Sequence, residues 1–199
     1  MEIKNIEILY EKALYEEANK TLHRAKRIAR ENERFYYWFE LLNWEKQLLE
    51  EAYESGEFTK DLDALIEEER DVIEKLRNLA AYHILYSKIN YVFRSGGYVR
   101  TEEEKAMVEE IGDHPLIKGK NTALSKRAAT ICFYTQGFCQ WAKRDWRTSL
   151  EKFLRVKQIL DEHPQLRADL PKRYVRTLQY IVLCQIDLGD YQQARENIR

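Results

Sequence analysis

Residues 143–160 read KRDWRTSLEKFLRVKQIL, and the ten residues before them read FYTQGFCQWA (133–142). A short polar break at Lys143-Arg144-Asp145 separates two stretches whose apolar residues recur at intervals of three and four, the period of a helix face. So short a connection favours two antiparallel neighbours, a helical hairpin. Trp146 stands directly after the turn, where it can pack back across the first helix. Ser149 follows three positions later, and Gly137 lies nine residues before Trp146. A small side chain on each helix lets the two axes approach closely, which is what a tight hairpin requires.

The same spacing recurs at both ends of the chain. KALYEEANKTLHRAKRIA from Lys12 places Tyr15, Ala18, Leu22 and Ala25 where the central copy has Trp146, Ser149, Phe153 and Val156. LGDYQQARENI from Leu188 supplies Gly189, Asp190, Tyr191, Ala194 and Ile198. With Phe133 and Gly137 ahead of the central copy, these residues resemble the tetratricopeptide repeat (TPR) family, and the resemblance covers about half of the chain. It implies an all-α fold of stacked antiparallel helical hairpins, a TPR-like superhelix whose concave groove binds other proteins. Ile6 and Val182 depart from the pattern, because they stand where the central copy has Gly137. Residues 34–112 match poorly, so the expected superhelix has an irregular middle section of long helices.

The periodicity and the breakers place helices at about 2–13, 16–31, 33–54, 60–94, 102–111, 122–143, 146–162, 172–187 and 191–199. Of the 7 glycines and 3 prolines, Gly137 is the glycine expected inside a helix; Gly56, Gly96, Gly97, Gly112, Gly119 and Gly189 fall at breaks, as do Pro115, Pro164 and Pro171. The fourth helix carries an apolar stripe over Leu62, Leu65, Ile66, Val72, Ile73, Leu76, Leu79, Ala80, Ile84, Ile89 and Val92, and its polarity changes near Asn78. With 199 residues, one domain spanning 1–199 accommodates all of this. The last copy stops before its second helix is complete. The sequence therefore reads as the N-terminal fragment of a longer repeat protein, with an apolar edge at Ala194 and Ile198 available for self-association.

Charged residues make up 34% and hydrophobic residues 44% of the chain, with no apolar run long enough to span a bilayer and no basic-then-apolar leader. A cytoplasmic location and no membrane partner follow as the expectation. Cys132, Cys139 and Cys184 lack paired spacing and lie among apolar residues, as reduced core thiols do. The net charge of -1 hides an asymmetry: residues 40–75 hold 13 acidic and 4 basic side chains, and residues 118–176 hold 14 basic and 5 acidic.

No chemistry-bearing constellation emerges. His23, His83, His114 and His163 have no metal-ligand spacing. The glycines of SGGYVRTEEEK and LIKGKN follow no strand and lack phosphate-loop spacing. The glutamate runs give no reason for raised pKa values. The chain is therefore expected not to be an enzyme, and to use no metal and no cofactor. Its aromatic content points instead to binding. By the family resemblance, the first helix of each hairpin lines the groove, which names Tyr37, Leu41 and Trp44, then Tyr134, Phe138 and Trp141, then Arg176 and Gln179 as partner-binding residues. The reading is a non-catalytic scaffold that holds a protein or peptide partner in an aromatic-lined groove. Two alternatives stay open: a regulatory or sensor module of an enzyme system, and a nucleic-acid-associated repeat. The second would use the basic faces of Arg24, Lys26, Arg27 and Arg30 and of Arg167, Lys172, Arg173 and Arg176. Balanced charge disfavours a nucleic-acid partner.

Overall fold

The computed structural model describes residues 2–54 and 62–198. Gly56 and the expected start of the fourth helix at residue 60 lie outside that range, and the side chains of residues 52–54, 95 and 198 are also not described. The described residues form eleven helices and no strand, so the fold is all-α. In order they are α1 (Glu2–Glu11), α2 (Tyr15–Glu31), α3 (Phe35–Glu54), α4 (Leu62–Gly96), α5 (Glu102–Asp113), α6 (Pro115–Lys118), α7 (Lys126–Ala142), α8 (Trp146–Glu162), α9 (Pro164–Asp169), α10 (Pro171–Asp187) and α11 (Tyr191–Ile198). The chain divides into two compact units, Met1–Arg77 and Asn78–Arg199. Length and composition give no sign of that division, because α4 carries helical periodicity through it.

One turn design closes four of the hairpins. Ala13, Glu33, Arg144 and Gly189 each adopt positive φ (56°, 51°, 61° and 79°). In each case the next amide donates to a carbonyl five residues back: Leu14 to Leu9, Arg34 to Ala29, Asp145 to Gln140 and Asp190 to Gln185, at 2.8–3.0 Å. This is the left-handed helix terminator that satisfies the otherwise orphaned last carbonyls. Glycine occupies the position at 189 alone. The turn between α2 and α3 belongs to the same set although its sequence gave no repeat match, because Trp38 stands where the other copies have a small residue.

The central hairpin shows why Gly137 and Ser149 are small. A Cβ built on Gly137 would lie 2.9 Å from a ring carbon of Phe153, which has no solvent exposure. Ser149 is equally buried, and its hydroxyl donates to the Gly137 carbonyl at 3.0 Å. Trp146 packs edge-on against Trp141 across the turn, with ring centroids 5.1 Å apart, and Tyr15 packs at a tilt against Tyr10 at 5.5 Å. Tyr191, by contrast, is 61% exposed. The first copy tolerates Ile6 in place of glycine because Leu22 stands where Phe153 does; both are fully buried, so volume moves from one helix to the other. Gly137→Ala should accordingly cost about 1–2 kcal/mol, the overpacking penalty exceeding the alanine's gain in helix propensity. Chemical denaturation of the two proteins measures the difference.

In α4 the buried set differs from the expected stripe. Leu65, Val72, Tyr82, Leu85, Ile89 and Val92 are buried, while Leu62, Ile73 and Ile84 are 42–62% exposed. The buried positions from 82 onward repeat at three, four and three, and a stripe drawn through Ile84 departs from that phase. Asn78 does not break the helix. Its side chain donates to the Thr122 carbonyl and accepts from the Leu124 amide, each at 3.0 Å, which fastens the segment before α7 to α4. Tyr82 adds hydrogen bonds to the Leu116 carbonyl and the Thr122 hydroxyl, and burial pushes its phenol up to about 12.

Candidate functional site

Among the described residues, each unit carries a concavity of ligand size. The larger, about 510 Å³, lies in the C-terminal unit. Tyr86 of α4 forms one wall, Ile131 and Tyr134 of α7 another, and Tyr180 of α10 a third. Lys172, Arg173 and Arg176, from the first turns of α10, supply its charge, together with Asp169 at the end of α9. Asp169 forms an ion pair with Arg127, both side chains being 14% exposed or less.

The three cations differ in their partners. Arg173 is half-buried, and its Nη1 donates to the Thr130 hydroxyl at 2.9 Å. Burial first, and then the neighbouring Arg127, lower its pKa. Lys172 and Arg176 are exposed, and among the described residues no carboxylate forms an ion pair with Lys172, Arg173 or Arg176. The positive field reaches α4 as well: His83 is held below its ordinary pKa by burial first, then by Arg173 and Arg127. Tyr134 fixes the wall from behind. Its hydroxyl donates to the Arg173 carbonyl at 3.0 Å and shares a 2.5 Å hydrogen bond with Thr177, and burial raises its pKa.

The structure splits the expected C-terminal groove residues. Tyr134 and Arg176 do line one cavity. Phe138 and Trp141 do not present an open surface: they are 0% and 7% exposed and belong to the core. The reason is α4, whose Phe93 comes to 4.5 Å of Phe138 and 5.5 Å of Trp141, while Tyr180 closes the other side at 5.0 and 6.2 Å. Gln179 is exposed and stands outside the cavity lining. Tyr86 and Tyr180 escaped the sequence reading, since one sits in the poorly matching middle and the other faces the cavity from a helix whose repeat is incomplete.

The second concavity, about 310 Å³, lies in the N-terminal unit between α1, α2 and α3. Ile3, Ile28, Tyr37 and Leu41 give it apolar walls, and Glu2, Arg34 and Glu40 rim it. Tyr37 is 49% exposed and Tyr36 beside it 64%, whereas Leu41 shows only an edge, at 2%. Trp44 is half-buried and stacks edge-on with Tyr10 at 5.6 Å instead of facing this cavity.

Of Arg24, Lys26, Arg27 and Arg30 on α2, the first two are ion-paired. Lys26, with its side chain 15% exposed, sits between Glu45 at 2.6 Å and Glu68 at 2.7 Å, and Arg24 pairs with Glu2 at 2.9 Å. Part of the acidic excess in residues 40–75 is thereby neutralised inside the unit. All three cysteines are buried, with Cys139 pushed up to about 12 and Cys184 to about 11, so their nucleophilic thiolate forms are suppressed. Among the described residues no three His, Cys, Asp or Glu side chains converge as metal ligands, and no helix is long and apolar enough to cross a membrane.

No family model matches the chain, and no curated protein or solved structure matches it either.

Proposed function

We propose that this chain is a non-catalytic interaction scaffold of tetratricopeptide-like hairpins that takes a protein or peptide partner on its N-terminal unit. The observation that carries the reading is the exposed Tyr36–Tyr37 pair, with ring centroids 5.7 Å apart, at the edge of an open cavity with apolar walls. Tyrosine offers a large contact area with a polar tip and few torsions to immobilise, which suits a binding surface better than a solvated helix face. Mixed charge at the rim, from Glu2, Arg34 and Glu40, would orient a peptide laid along α1 and α3. On the α2 face a nucleic-acid partner finds less support, because Lys26 and Arg24 are already committed to carboxylates.

Affinity capture from a cell lysate tests the proposal, comparing the wild type with the Tyr36→Ala/Tyr37→Ala variant, with and without nuclease. Both side chains are exposed, so the variant should keep its fold with a stability change of about 0.5 kcal/mol or less each. A defined protein retained by the wild type and lost by the folded variant is the expected result. Capture that disappears with nuclease and is indifferent to the two substitutions would overturn it.

A further inference from the structure

The cavity of the C-terminal unit has a composition that a peptide scaffold does not require. Its approximate volume of 510 Å³ is that of a small-molecule site. Three of its walls are tyrosine rings, Tyr134 standing at 70° to Tyr86 and at 84° to Tyr180, each with centroids 6.1 Å away. Its charged lining is three cations against one carboxylate, and that carboxylate is already ion-paired with Arg127. A guanidinium withdrawn from water is costly unless an anion meets it. Arg173 is in that position: half-buried, with a neutral hydroxyl as its hydrogen-bond acceptor. Arg176, one helical turn further along α10, reaches the same cavity, so two guanidinium forks are available to one head group.

We propose that this cavity binds a small organic anion with a planar apolar body and a carboxylate or phosphate head, the head held by Arg173 and Arg176 and the body set against Tyr86 and Tyr180. Charge selects the head, because a second anion inside the cavity would repel it only through Asp169, which Arg127 neutralises. Ring faces select the body, because flat groups stack on tyrosine with little loss of their own freedom. The site is independent of the Tyr36–Tyr37 surface, which belongs to the other unit. Occupation would tie α4 to α10, since the cavity walls come from both.

Titration calorimetry on the whole chain tests this with phenyl phosphate, benzoate and inorganic phosphate as probes. The expected result is that at least one aromatic anion binds about tenfold or more tightly than inorganic phosphate, and that Arg173→Met weakens it about tenfold or more. Circular dichroism checks that this variant is folded. Should it not fold, Arg176→Met, at an exposed position, must show the same direction of loss. A further arm separates two sources of the same chemistry. Equal affinity for phenyl phosphate and for a five-residue peptide centred on phosphotyrosine assigns a free small molecule, and a much tighter peptide assigns the anion to a partner's side chain. No heat from either aromatic anion up to about 1 mM, which corresponds to roughly 4 kcal/mol of binding free energy, overturns the proposal. So does binding that both arginine variants leave unchanged, and so does inorganic phosphate binding as tightly as the better of the two aromatic anions.

Discussion

Replacing Phe138 by alanine is expected to destabilise the C-terminal unit by about 3–5 kcal/mol, the usual range for removing a buried phenylalanine. The ring has no solvent exposure and lies within 6.1 Å, centroid to centroid, of Tyr86, Phe93, Tyr134, Phe153 and Tyr180. Its neighbours come from α4, α7, α8 and α10, so no single segment can collapse into the space it leaves. The cost therefore combines lost transfer energy with an unrelaxed cavity. Cys132, Cys139 and Cys184 all report on this unit, since they are buried within it. Their alkylation as a function of urea should shift to markedly lower denaturant in the variant. A change below about 1 kcal/mol would mean that the ring is at a surface, restoring it to the groove where the sequence places it.

In the N-terminal unit the largest effect is expected from Lys26→Met. The ammonium lies between two carboxylates on different helices, Glu45 of α3 and Glu68 of α4, and Glu68 also accepts the Trp38 indole N–H at 2.9 Å. Glu45 is 5% exposed, so water cannot replace the lost cation easily. Removing one partner from a buried ionic cluster costs about 3–5 kcal/mol, far more than the same change at a surface ion pair. The chemistry predicts a partial rescue: Lys26→Met combined with Glu45→Leu should recover part of the loss, because the more deeply buried of the two carboxylates that lose the ammonium is then gone. Thermal unfolding followed by circular dichroism compares the three proteins. If Lys26→Met behaves like an exposed lysine variant, within about 0.5 kcal/mol of the wild type, the cluster is solvated and contributes little.

Arg24, Lys26, Arg27 and Arg30 illustrate the limit of reading charge from sequence. They are spaced around α2, and nothing local reveals that Lys26 meets two glutamates from segments 19 and 42 residues away. Local sequence records what is decided within a turn or two of helix. It marks the hairpin around Gly137 and Ser149 because the close approach is written into two small residues at fixed spacing. It does not mark the short helices α6 and α9, where Pro115 and Pro164 start a single turn in place of ending one.

The candidate sites were legible in part for the same reason. Tyr37 and Leu41 share a cavity because they are one turn apart on one helix, and Tyr134 and Arg176 meet because α7 and α10 pack in succession around α8. By itself the sequence determined that this protein is all-α, where its hairpins turn and which residues must be small. Those properties follow from helical periodicity, turn stereochemistry and local side-chain volume. Tertiary structure alone decided that α4 fills the space beside α7 and α10, that Phe138 and Trp141 are core, and that Tyr86 and Tyr180 face cations across a cavity. Those outcomes depend on contacts between residues about 40 to 95 positions apart, where hydrophobic burial selects the packing and no local pattern records it.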